Sequence, residues 1–157
     1  MSGVTLASLT NQKLDTARRF IQQSQESTEE WLKAGLESSA IFQLRSALNG
    51  LLKEVTSAYA LPKDTLDIAK LLAEAESKQI MVPVLSELAD LQSRSDSWCY
   101  QLNQAYLVQF ECRASTLSVQ QSDNLIGRGS DAGASVSLYL TKLVELVLRF
   151  REESSEY

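Results

Sequence analysis

Apolar residues recur every three or four positions for five helical turns near the middle of the chain. Because an α-helix turns once every 3.6 residues, this spacing places them on one face and predicts a buried stripe. Ser27 and Glu30 have the spacing of a capping box, and Pro62 disfavours helix at the residue before it. We therefore predict a helix over residues 28–60. Its apolar stripe consists of Ile41, Leu44, Leu48, Leu51, Leu52, Val55 and Tyr59.

Similar spacing predicts helices on either side of this one. The first covers residues 6–25, with Thr5 as its cap. Its short connection to the helix over 28–60 requires the two helices to run antiparallel as a hairpin. A short helix follows a capped start at Asp64 and ends near Ser77.

Two more helices are expected in the second half of the chain. One covers residues 82–111, with Pro83 in its first turn, where proline is tolerated. Ser95 falls on the apolar stripe of this helix, where a small residue would leave room for a bulky neighbour. The last helix is predicted to begin at Ser130 or Ser135. Its expected buried residues are Val136, Leu140, Leu143, Val144, Val147 and Phe150.

These helices predict an all-α fold: an up-and-down four-helix bundle with one additional short helix. The chain has only 6 Gly and 2 Pro in 157 residues, which suits few turns and long helices. A length of 157 residues fits a single helical-bundle domain, residues 1–157. Residues 113–130 lack the periodicity, and they are either a connection across the bundle or a flexible loop.

Charge and cysteine content limit the setting in which the protein works. The net charge of −5 repels phosphate backbones, so we expect no nucleic-acid partner. No stretch resembles a signal peptide or is apolar and long enough to span a membrane, so we predict a cytoplasmic protein without membrane association. Two cysteines without a plausible disulfide suit a reducing compartment.

The chain has no histidine, which is the commonest general base and metal ligand. No Ser-His or Cys-His nucleophile pair can therefore exist within it. The glycine-rich run over residues 127–133 follows no predicted strand, so we interpret it as a connection before a helix rather than a phosphate loop. Cys99 lies in mid-helix without basic neighbours in sequence and is expected to be a buried, inert thiol. We predict a protein that is not an enzyme and has neither cofactor nor metal.

Four side chains are candidates for an interface or a pocket: Trp31, Trp98, Tyr100 and Arg45. Trp98 and Tyr100 are two positions apart on a helix and point in nearly opposite directions, so at least one should be exposed or covered by a partner. Arg45 lies beside the core stripe. It could pair with Glu37 or another carboxylate, or extend to solvent, and it is the best candidate for anion recognition.

Several short segments spread over nearly the whole chain resemble a known protein family. They are Asn11-Gln12-Lys13-Leu14, Phe42-Gln43-Leu44, Ala47-Leu48 with Leu51, Trp98, Leu125-Ile126, Arg149 and Glu156-Tyr157. The family consists of small, all-helical bacterial proteins of unknown function, most familiar from gammaproteobacteria. The resemblance implies a single helical domain in the bacterial cytosol and assigns no activity or functional residue.

Two functional hypotheses follow from these features. The first is a non-enzymatic helical bundle that acts through protein–protein contacts, as an adaptor or by self-association, with a homodimer or an unknown protein as its partner. The alternative is a bundle that binds a small ligand or anion in a pocket lined by Arg45 and by Trp31 or Trp98.

Overall fold

The computed structural model describes the backbone of residues 4–114 and 125–155, and the side chains of 4–114 and 135–155. All the regular structure within these ranges is helical, so the predicted all-α class is confirmed. The described residues form six helices: α1 (Leu6–Glu26), α2 (Glu30–Ala58), α3 (Ile68–Ser77), α4 (Pro83–Ser93), α5 (Trp98–Phe110) and α6 (Leu125–Ser155). The long helices α1, α2 and α6 pack on one another, and α5 packs on α2 and α6.

Helices α1 and α2 form the predicted hairpin, and their capping agrees only in part with the sequence analysis. Thr5 caps α1 as predicted, since its side chain accepts a hydrogen bond from the Ser8 amide at 3.0 Å. The prediction of a capping box at Ser27 is wrong. Helix α2 begins at Glu30 without a side-chain cap, and Ser27 is the C-cap of α1. Three residues, 27–29, separate the end of α1 from the start of α2. Helix α2 therefore begins too late for Ser27 to be its N-cap.

The α1–α2 crossing is close because α2 presents a glycine there. A β-carbon built at Gly50 would lie 2.5 Å from the Thr10 hydroxyl oxygen, and Thr10 is fully buried. A β-carbon at Gly35, near the start of the same helix, would meet nothing within 4 Å. The two glycines of α2 therefore have opposite roles, one in packing and one on open surface.

Replacing each glycine of α2 by alanine should give changes of opposite sign. We expect Gly35→Ala to raise the free energy of unfolding by about 0.5–1 kcal/mol, because alanine is the better helix former. Gly50→Ala should lower it by about 1–2 kcal/mol, because the added methyl group overpacks the helix crossing. Urea denaturation of both variants tests this. Adding Thr10→Ala should recover the Gly50→Ala loss, and equal effects at both glycines would contradict the packing role.

The helix predicted over residues 82–111 is two helices, which corrects the sequence analysis. Helix α4 ends at Ser93 and α5 begins at Trp98, so Ser95 lies exposed in a turn and not in an apolar stripe. Buried Ser97 joins the two ends: its hydroxyl donates to the Leu91 carbonyl and accepts from the Tyr100 amide. A serine that satisfies backbone groups of both helices favours the break over a continuous helix.

Helix α6 begins at Leu125, earlier than the predicted Ser130 or Ser135. Three glycines between residues 125 and 134 lower the helix propensity there, which is why the sequence favoured a later start. Extending an existing helix costs much less than nucleating one, and this explains the difference. Of the connection predicted over residues 113–130, residues 115–124 lie outside the described part of the chain. The buried face of α6 consists of Val136, Tyr139, Leu143, Leu146, Val147 and Phe150.

Candidate functional site

Three aromatic rings on α2 and α5 lie in a row at the surface, and we call Phe42, Tyr106 and Phe110 the aromatic strip. The ring centroids of Phe42 and Tyr106 are 6.2 Å apart with the planes tilted by 43°. Those of Tyr106 and Phe110 are 5.7 Å apart and nearly parallel, at 20°. Phe42 is 51% exposed and Phe110 is 72% exposed, whereas Tyr106 is half-buried. The strip therefore presents two large apolar rings to solvent.

Helix geometry explains how the strip forms. Tyr106 and Phe110 are four residues apart on α5, so they lie on one face a turn apart. The fully buried residues Leu44 and Leu48 mark the face of α2 that lines the core. Phe42 is two positions from Leu44, about 200° around the helix, and so points away from the core. Tyr106 bridges the two exposed rings.

Arg45 lies beside the strip, between α2 and α5. It interacts electrostatically with Cys99 and Tyr106 of α5, and burial lowers its pKa from the usual arginine value. One of its guanidinium nitrogens, Nη1, donates to the Asn49 side-chain oxygen at 2.7 Å. Within the described side chains no carboxylate lies at ion-pair distance from Arg45, and Glu37 in particular does not pair with it.

The remaining donors of Arg45 are accessible to solvent. Among the described residues, no buried side-chain nitrogen or oxygen lacks a hydrogen-bond partner. The guanidinium nitrogens of Arg45 that have no protein partner are therefore accessible, although much of the side chain is covered. An unpaired cation at the edge of an apolar surface is well placed to receive a carboxylate.

Cys99 is the buried thiol that the sequence predicted. Burial raises its pKa to about 11, against the opposing influence of nearby Arg45. The thiolate is the reactive form of cysteine, so a buried thiol with this pKa is a poor nucleophile. Cys112 follows the end of α5 and is exposed.

The two thiols should therefore react at very different rates. Raising the pKa from 9.0 to about 11 lowers the Cys99 thiolate fraction about a hundredfold at pH 8, and burial also blocks access. We expect one fast thiol per native chain with Ellman's reagent, and two in denaturant. Cys112→Ser should remove the fast reaction. Two fast thiols in the native wild type would contradict the burial of Cys99.

Trp31 lies on the same outward face of α2 as Phe42 but apart from the strip. Phe42 is eleven positions after Trp31, about three helical turns. The indole is 72% exposed, and its N–H donates to the Glu29 carboxylate at 2.5 Å. Trp31 thus extends the exposed aromatic surface of α2 toward its first turn.

Trp98 and Tyr100 are both half-buried at the start of α5, and Trp98 packs against the core. The structure brings Arg45 near α5 but does not assemble Trp31, Trp98 and Arg45 into one pocket. The exposed aromatic residues that the sequence analysis missed are Phe42 and Phe110. A signal was present, because Phe42 falls off the apolar stripe that contains Ile41 and Leu44.

Two grooves lie elsewhere on the surface. One, of about 280 Å³, runs between α1 and α6 and is lined by Leu14, Leu140, Val144 and Val147 with charged residues at its rim. The other, of about 230 Å³, lies near the ends of α2 and α6. Neither is lined by Trp31, Trp98 or Arg45, so these grooves do not supply the pocket of the ligand hypothesis.

No group of three or more histidine, cysteine, aspartate or glutamate side chains in the described ranges is arranged to hold a metal ion. None of the described helices combines the length and apolar character that crossing a membrane requires.

The fold and the strip define an all-helical protein with an aromatic surface between two helices. The chain belongs to DUF6586, a family of unknown function, whose model matches residues 1–157. This confirms the resemblance to an uncharacterised family. No curated protein and no solved structure is significantly similar to the chain.

Proposed function

We propose that this chain is a non-enzymatic, cytoplasmic protein that binds another protein chain through the aromatic strip. The observation that carries the proposal is the pair of exposed rings, Phe42 and Phe110, held on either side of Tyr106. Aromatic residues are enriched at protein interfaces and include many of the side chains that dominate binding energy. Exposed rings grouped on one face are therefore better explained by an interface than by chance exposure.

Other features agree with this proposal. The rings are mounted on two helices that pack on each other, so they are held rigidly before a partner arrives, which lowers the entropic cost of binding. The chain also lacks histidine, the commonest general base, and burial makes the Cys99 thiol beside Arg45 a poor nucleophile. A protein surface is the partner that two stacked rings and a half-buried arginine suit best.

Site-specific cross-linking in cells that naturally make the protein tests the proposal. A benzophenone amino acid is placed at Phe110, and for comparison at Leu148, which is 56% exposed on α6. We expect one discrete cross-linked protein from position 110, and its loss when Phe42→Ser is added. The same product from both positions, or one that persists with Phe42→Ser, would show that the strip is not the binding surface.

A further inference from the structure

Charges of opposite sign lie at the two ends of the aromatic strip. Arg45 approaches Cys99 and Tyr106, on the side of the strip nearer the start of α5. Glu111 follows Phe110 at the C-terminal end of α5 and is exposed. Glu111 is five positions after Tyr106, about 7.5 Å along the helix. Along α5 the order is therefore Arg45, the aromatic rings and then Glu111, which is ion-paired with exposed Arg113.

We propose that a second copy of this chain docks on the strip about a two-fold axis. The axis reverses the order of the strip, so that Arg45 of each copy faces Glu111 of the other across stacked rings. A two-fold interface uses the same patch on both copies and therefore requires a self-complementary patch. The inference rests on the proposed function and names the partner that the strip accepts.

Both charges are available for such an exchange. Arg45 has no carboxylate partner among the described side chains, so it gives up no ion pair on docking. Glu111 pairs with Arg113 at 2.7 Å, but both side chains are about half exposed. Exposed ion pairs contribute little to stability, so Glu111 can change partner at small cost.

The charge pattern favours a second copy of this chain as the partner that docks on the strip. A different protein would need aromatic or apolar residues flanked by an acid and a base in matching order, and this chain already has that pattern. Docking would also cover Phe42 and Phe110, which gives the contact an apolar centre with charged pairs at both edges. A second copy therefore offers an apolar surface to the exposed rings, a carboxylate to Arg45 and a cation to Glu111.

Charge reversal with rescue tests the inference on the purified full-length chain. Sedimentation equilibrium across a concentration series should show a monomer–dimer equilibrium for the wild type. Arg45→Glu and Glu111→Arg should each weaken dimerisation about tenfold or more, because each places like charges together in both contacts. An equimolar mixture of the two variants should dimerise again, since each then supplies the charge that the other needs.

Matched controls separate this effect from misfolding and from net charge. Glu76→Arg on α3 makes the same charge change as Glu111→Arg, but at an exposed position outside the strip. It should leave the dimer unaffected. Circular dichroism should show native helix content in each variant. If Arg45→Glu does not fold, Arg45→Gln takes its place and should weaken the dimer through loss of both charge pairs.

Each outcome decides the inference. A wild type that stays monomeric at every concentration overturns it, and so does a dimer that neither charge reversal weakens. Failure of the mixture to dimerise, with both variants folded, also overturns the pairing of Arg45 with Glu111. In each case a discrete cross-link from position 110 to a different protein would still uphold the proposed function, and loss of that cross-link would reject it separately.

Discussion

Arg151→Met should lower the free energy of unfolding by about 3 kcal/mol, because it breaks a partly buried ionic contact that joins three helices. The Arg151 guanidinium on α6 donates to both carboxylate oxygens of Glu54 on α2, at 3.1 and 3.2 Å. It also donates to the Asn11 side chain at 2.9 Å and to the Ala7 carbonyl at 3.2 Å, both on α1. The Glu54 side chain is only 9% exposed, so removing its cation leaves a poorly hydrated carboxylate.

Arg149→Met is the matched control, two positions before Arg151 on α6. Arg149 also donates two hydrogen bonds to a carboxylate, that of Glu87, at 2.8 Å each. Those side chains are 52% and 37% exposed, so water can replace the lost contact and the cost should stay below about 1 kcal/mol. Urea denaturation at neutral pH measures both variants. Equal losses for Arg149→Met and Arg151→Met would contradict the role given to burial.

Leu48→Ala should lower the free energy of unfolding by about 3 kcal/mol, within the usual range for a leucine truncated in a core. Leu48 lies on α2, is fully buried and belongs to the core that α1, α5 and α6 share with this helix. The change removes apolar contacts and leaves a cavity that the surrounding helices fill only in part. Thermal and urea unfolding should both show the loss.

Leu148→Ala is the same substitution on exposed surface. Leu148 lies on α6 and is 56% exposed, so we expect a change below about 0.5 kcal/mol. The comparison separates burial from helix propensity, because both positions are helical and both changes are leucine to alanine. A loss at Leu148 as large as that at Leu48 would place the core elsewhere than the structure does.

Local features of the sequence predicted most of the helices. The apolar stripe before Pro62 predicted α2, and Pro83 was correctly placed in the first turn of α4. Cys99 was predicted to be buried, and it is. These predictions succeed because helical periodicity, capping and proline sterics act within a few residues and leave a readable pattern.

Tertiary structure determined which residues of different helices contact each other. Ser97 caps the start of α5, and its hydroxyl also donates to the Leu91 carbonyl of α4, a contact that no periodicity predicts. Arg151 finds its partners Glu54 and Asn11 far away in the chain.

The candidate site depended on tertiary structure in the same way. Arg45 is a candidate from the sequence alone, and helical spacing predicts that Trp98 or Tyr100, at the start of α5, is exposed or covered by a partner, whereas both are half-buried. The exposed ring of α5 is Phe110 at its end, paired through Tyr106 with Phe42 of α2. Periodicity gives the angle of a side chain around its own helix axis. Which neighbouring helix covers that angle, and where that helix ends, depends on the packing of the whole chain.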